Sequence, residues 1–136
     1  MTVAKEQITD SSSNSGLSNF RITVERLLEL LDLEQEDEYG ILRPTEYAFR
    51  TAMKWIVETY DILGDNFPKA STGTDDLGSI RLAWQNVNAD RRVRLFCPHN
   101  ADEKAYIYHQ KSEEYGSEDI TSAATLAHWL EWYNKV

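Results

Sequence analysis

The sequence predicts an α+β domain in which a three-stranded antiparallel sheet packs against two or three helices. Segments with helical spacing stand at both ends of the chain, and three short segments of alternating polarity follow one another between them. Strands joined by short turns pair antiparallel. No strand–helix–strand unit with a glycine-rich turn is present, so a doubly wound nucleotide-binding fold is not expected.

The chain has 136 residues, the length of one domain. Residues 1–18 are polar, small and without periodicity, so we predict a flexible tail followed by a single domain over residues 19–136. The first helix is predicted over residues 23–33, where leucines recur at helical spacing. The link that follows is strongly acidic: residues 29–38 hold six acids and no base. Such a run is usually solvated, and the alternative is a contact with a basic partner.

The second helix is predicted over residues 44–63. Pro44 suits a first helical position, and Gly64 suits the C-terminal stop. Phe49, Met53 and Ile56 begin an apolar stripe that continues through Tyr60 and Leu63, as expected of a helix that faces a core.

The glycine-rich segment 65–79 is predicted to be a loop, and three strands follow at residues 80–84, 92–97 and 105–108. The last helix is predicted to start near Thr121, whose hydroxyl suits an N-cap, and to run to residue 134.

Composition excludes several classes of protein. The single cysteine rules out a disulfide framework. No apolar run approaches the roughly 20 residues of a membrane helix, and the N-terminus lacks the apolar stretch of a secretory signal, so a cytoplasmic protein is expected. The formal net charge of −9 argues against nucleic acid as the partner, because such a surface repels phosphate.

Candidate catalytic and metal-binding groups are sparse. Cys97 and His99 could form an activated thiolate, but no third orienting group is evident and strand parity places Cys97 with the apolar residues. His99 and His109, with Asp102 and Glu103 between them, could offer a zinc or iron ligand set; solvated loop histidines are the alternative. We therefore predict no catalytic residues, no metal site and no cofactor.

Half of the eight arginines lie within one predicted hairpin. Residues two apart in a strand share a face, so a pairing of the strands determines which residues face the core. The predicted pairs on the core side are Trp84 with Val93, Leu82 with Leu95, Ile80 with Cys97 and Leu95 with Ile107. The opposite face then carries the predicted partner-binding residues Arg81, Arg94, Phe96, Tyr106 and Tyr108. Arginine and aromatic side chains are typical anchors of protein interfaces. The alternative is that helix 23–33 covers this face.

Several segments together resemble a group of small uncharacterised bacterial, mainly cyanobacterial, α+β proteins. The matching strings are RPTEYAF at 43–49, GSIRLAW at 78–84, RVRL at 92–95, YIY at 106–108 and LAHWL at 126–130. The resemblance spans about residues 41–134. It implies a partner in a toxin–antitoxin-like pair and supplies no catalytic residues.

The predicted function is a non-enzymatic protein-binding or regulatory module, antitoxin-like in the sense of that resemblance. Its expected partner is a protein or a second copy of the chain, with no membrane involved. The alternative function is a small-ligand-binding protein or an enzyme, with a cleft between helix 44–63 and the sheet.

Overall fold

The structure is a computed structural model that describes residues 15–135, and its central element is a five-stranded antiparallel sheet. The sheet has the strand order β3-β4-β5-β6-β7, so every strand lies beside its neighbour in sequence. The strands are β3 (Ser71–Thr74), β4 (Ile80–Asn86), β5 (Arg91–Cys97), β6 (Tyr106–Lys111) and β7 (Glu114–Asp119). The other elements are α1 (Ser15–Glu29), the hairpin β1 (Glu36–Asp37) and β2 (Gly40–Ile41), α2 (Glu46–Leu63) and α3 (Ala123–Asn134).

The register of the three central strands is the one that the sequence predicts. Leu82 pairs with Leu95, and Leu95 in turn pairs with Ile107. Trp84 pairs with Val93, and Ile80 pairs with Cys97. Since side chains alternate between faces along a strand, this register collects the apolar residues on one side, which we call the inner face. The inner residues of β4 and β5 are buried, whereas the residues between them are exposed or half-buried.

The helices cover the inner face and complete the core. Ile56 of α2 and Leu130 of α3 are both fully buried in one apolar cluster with the inner strand residues, and Trp55 is 8% exposed. Thr45 is the N-cap of α2, and its side-chain oxygen accepts a hydrogen bond from Ala48 N at 3.1 Å. The helix therefore begins two residues later than predicted, because the Thr45 side chain satisfies one of the free N–H groups of its first turn.

The α+β class is confirmed, but the prediction of a three-stranded sheet is wrong. The structure adds β3 and β7 at the two edges, and β1–β2 form a separate two-stranded sheet. β3 has the sequence STGT and β7 has the sequence EYGSED, so neither alternates between apolar and polar residues. Both edge strands are exposed or half-buried along their whole length, so neither face needs apolar side chains. Alternation of apolar and polar residues therefore does not reveal them.

The first helix begins at Ser15 rather than at residue 23, and α1 ends at Glu29 in a single 3-10 turn, Leu30–Asp32. Residues 15–18 therefore belong to a helix and not to the predicted tail, and residues 1–14 lie outside the described part of the chain. Gly16 is the reason that the helix can begin so early. A Cβ at this position would lie 2.2 Å from the carbonyl oxygen of Gly64, so α1 rests directly on that backbone.

α1 packs against α2 and against the β3 edge of the sheet. Its side chains bind the backbone beside β3: Arg26 Nη1 donates to Ala70 O at 2.7 Å, and Thr23 Oγ1 accepts from Ala70 N at 3.1 Å. Leu27 and Leu30 join the core. The alternative that this helix lies across the arginine-bearing face of the sheet is therefore not what the structure shows.

Within residues 15–135, the structure contains no helix whose length and apolar character would let it cross a membrane.

Replacing Gly16 with alanine tests the close approach of α1. We expect Gly16→Ala to lower the free energy of unfolding by about 1–3 kcal/mol, the usual cost of forcing atoms into a packed site. Gly73→Ala is the matched control, since a Cβ there meets no atom within 4 Å. Urea denaturation measures both variants. Equal stability of the two would show that the α1 contact does not contribute to folding.

The core role of α2 is tested by truncating one isoleucine on each of its faces. Ile56→Ala removes a fully buried side chain and should cost about 2–5 kcal/mol. Ile62→Ala, at a position that is 53% exposed, should change stability by less than about 0.5 kcal/mol. A shift of the same size in both denaturation midpoints would contradict the assignment of the buried face.

Candidate functional site

The five predicted partner-binding residues lie together on the face of the sheet opposite the helices, which we call the outer face. The register places them in two cross-strand rows. One row runs Gly73, Arg81, Phe96, Tyr106, Asp119, and the next runs Ser71, Ala83, Arg94, Tyr108, Ser117. The structure thus brings together the residues that strand parity assigns to this face.

Aromatic rings on the outer face contact one another and an arginine. The ring centroids of Phe96 and Tyr106 are 5.1 Å apart, and those of Tyr108 and Tyr115 are 6.3 Å apart with nearly parallel planes. The Arg94 guanidinium carbon lies 5.5 Å from the centroid of Tyr108, a cation–π distance. The Tyr108 hydroxyl donates to Gln110 Oε1 at 3.0 Å. These contacts hold the rings in place and leave the charge of Arg94 at the surface.

The arginines of the outer face form no ion pair with any described residue. In the described part of the chain, none of Arg81, Arg92 and Arg94 lies within ion-pair distance of a carboxylate. Arg81 is exposed, and Tyr106 is 39% exposed. Three cations to which the described residues supply no ion-pair partner, on a protein of net charge −9, make this face electrostatically unlike the molecule as a whole.

The structure adds a third row to the outer face that the sequence analysis missed. It runs Gln85, Arg92, Gln110, Tyr115. A hollow of about 130 Å³ opens at this end of the face, lined in part by Gln85, Arg92 and Gln110. Arg92 could have been placed here by its parity with Arg94, whereas Tyr115 required knowledge that β7 exists.

Cys97 and His99 do not form a reactive pair. Burial raises the pKa of the Cys97 thiol to about 12, so the thiol stays protonated and packs as an apolar group. His99 instead has Nδ1 3.7 Å from Glu103 Oε2. The interpretation of Cys97 as a buried core residue is thus confirmed.

His109 lies on the inner face and not in a solvated loop. Its ring is stacked on Trp129 of α3, with centroids 3.6 Å apart and planes inclined by 11°. Gly116 of β7 pairs with His109 in the sheet, and a Cβ at Gly116 would sit 3.1 Å from the imidazole. Trp129 Nε1 donates to Glu118 Oε1 at 2.5 Å. These contacts join β6, β7 and α3 at one corner of the fold.

The histidines and acids proposed as metal ligands are dispersed. His109 faces α3, while His99 and Glu103 lie in and beside the loop that precedes β6. Among the described residues, no three His, Cys, Asp or Glu side chains come together in a way that could hold a metal ion.

The alternative site also has a counterpart in the structure. A groove of about 480 Å³ runs beside α2, lined by Tyr47, Lys54 and Trp55 on one side and by Lys104 and Asp119 on the other. Its size falls within the range of ligand pockets. Cys97, His99 and Asp102 are not among the described residues that line it.

No protein family, no curated protein and no solved structure matches this chain. The resemblance to small cyanobacterial proteins therefore stays a prediction, and functional inference rests on the geometry of the surface.

His109 should make stability depend on pH. Burial lowers its pKa below the ordinary value of 6.5; Glu118 opposes this shift and His128 adds to it. The unfolded chain therefore takes up the proton more readily, and folding stability should fall as the pH drops below about 6.5. Unfolding free energies measured between about pH 8 and about pH 5 test this. His109→Gln should flatten the profile, and the control His128→Gln should flatten it less. Identical slopes for the wild type and His109→Gln would contradict the assignment.

Proposed function

We propose that the protein is a non-enzymatic binding module whose outer sheet face holds an acidic, aromatic segment of a protein partner. The observation that carries the proposal is the open face itself. Three arginines that form no ion pair with a described residue lie beside two contacting aromatic pairs, on a side that no described helix covers. The pairs are Phe96 with Tyr106 and Tyr108 with Tyr115. The proposal places this activity in the cytoplasm.

Charge supports an acidic partner. A guanidinium binds a carboxylate through two parallel hydrogen bonds. A partner carboxylate that reaches Arg81 or Arg94 replaces only water, because no carboxylate of the described chain occupies these groups.

The ring contacts support an aromatic component in the partner. Phe96, Tyr106, Tyr108 and Tyr115 present apolar surface held by neighbouring side chains, so little rotamer freedom is lost on binding. Aromatic and arginine side chains clustered together are typical of the residues that contribute most to protein interfaces.

Fluorescence anisotropy tests the proposal with two labelled probes of equal length. One is a peptide of alternating glutamate and tyrosine, and the other is a single-stranded RNA. We expect the peptide to bind the wild type and to bind Arg81→Glu/Arg94→Glu at least about tenfold more weakly, since the arginine–carboxylate contacts become repulsive. Thermal unfolding of this variant should stay close to that of the wild type, because the reversed charges are at the surface.

The matched control is Arg21→Glu/Arg50→Glu, which changes the net charge equally at arginine side chains that are 71% and 77% exposed on α1 and α2. It should leave peptide affinity nearly unchanged. Tighter binding of the RNA than of the peptide, or equal weakening by the control pair, would show that the proposal is wrong.

A further inference from the structure

The β1–β2 hairpin and the residues just before it form an exposed acidic surface. The hairpin and the preceding segment carry four exposed acids: Glu34, Glu36, Asp37 and Glu38. Tyr39 at the turn is 81% exposed. In the described residues, none of these four acids lies within ion-pair distance of a lysine or arginine. The hairpin thus combines the two chemical features, carboxylates and an aromatic ring, that the outer face would bind.

The hairpin is fixed to one end of the sheet. Ile41 N donates to Asp76 O at 3.1 Å, and Thr74 Oγ1 donates to Leu42 O at 2.9 Å, so the hairpin is tied to the turn between β3 and β4. Arg43 Nε donates to Leu33 O at 3.1 Å and holds the two ends of the segment together. Within residues 15–135, neither the anchored hairpin nor any other segment places a carboxylate within ion-pair distance of Arg81, Arg92 or Arg94.

We propose that the protein forms a two-fold dimer in which the β1–β2 hairpin of each copy lies on the outer face of the other. This inference rests on the proposed function and names the occupant of its site. The acids of the hairpin pair with Arg81, Arg92 and Arg94, and Tyr39 packs against the rings of the face. A two-fold axis makes both contacts at once, so the dimer is closed.

Two other routes to self-association are less favourable. The sheet has two edge strands, β3, against which α1 packs, and β7. Antiparallel pairing of two β7 strands about Gly116 and Ser117 would place Glu114 opposite Asp119. Like charges directly opposite destabilise such a pair. The second route is the exposed leucine stripe of α1 and its 3-10 turn, which is apolar and carries no complementary charge. Its members are Leu17, Leu28 and Leu31.

Salt separates the hairpin dimer from an apolar one. Two molecules of net charge −9 repel each other, so a dimer held by leucines should strengthen as salt screens that repulsion. A dimer held by carboxylate–arginine contacts should weaken as salt rises. Sedimentation equilibrium of the full chain over a range of sodium chloride concentrations should therefore show a dimer at low salt whose dissociation constant rises with salt.

Reciprocal charge reversal gives the decisive experiment. Arg81→Glu/Arg94→Glu and Glu36→Arg/Glu38→Arg should each be monomeric, because like charges then meet in both contacts. An equimolar mixture of the two variants should recover the dimer, since each reversed hairpin meets a reversed face and each native hairpin a native one. The control Glu58→Arg/Glu131→Arg changes the charge as the hairpin variant does, at exposed positions of α2 and α3, and should remain dimeric.

Each other result overturns the inference. A wild type that stays monomeric yet binds the glutamate–tyrosine peptide removes the dimer and leaves the proposed function in place. Loss of peptide binding as well removes both. Three further results would each exclude the two-fold exchange of hairpins. The first is a dimer that survives the charge reversals, and the second is assembly into particles larger than a dimer. The third is a mixture that stays monomeric although both variants keep the wild-type thermal midpoint.

Discussion

The pairing of Leu82 with Leu95 and of Leu95 with Ile107 is the constraint on which the rest of the structure depends. A shift of one residue in either pair would turn the apolar side chains of the shifted strand toward solvent and its outer residues, the arginines of β4 and β5 or the tyrosines of β6, toward the core. Burial of the leucines thus excludes every neighbouring register. The same pairing gathers arginines and aromatic rings on the outer face, so the candidate site follows from how the core is packed.

The sequence predicted the middle of the fold better than its margins. The central strands alternate because one side of each must be buried and the other must not, and this requirement is visible in β4 and β5 residue by residue. β3 and β7 are polar edge strands, and their pairing depends on neighbours rather than on a pattern of their own. The start of α1 depends on the absence of a side chain at Gly16, whose meaning appears only when the Gly64 backbone is placed beside it.

Some residues of the candidate site could likewise be predicted from the sequence, and others could not. Parity placed Arg81, Arg94, Phe96, Tyr106 and Tyr108 correctly on one face, since it needs only the register. Tyr115 was missed because the polar strand β7 was not predicted. The stacking of His109 on Trp129 was missed because it joins β6 to α3, which are separated in sequence. The signal nearest to His109 was Gly116, whose missing side chain leaves room for the imidazole, but a glycine in a polar segment has many explanations.

The number of charges on the outer face also bears on the kind of partner. Proteins that hold nucleic acid through its backbone neutralise phosphates with lysine and arginine, and strongly salt-dependent binders make about six to ten such contacts. This face offers three arginines, all on β4 and β5, and the next strand but one ends in Asp119 within the row of Arg81 and Tyr106. A phosphate backbone that crosses the sheet would contact arginines only on β4 and β5, and on β7 it would meet the carboxylate of Asp119. A short acidic protein segment needs only the central strands, where cations and rings lie side by side, and its remaining surface can be neutral.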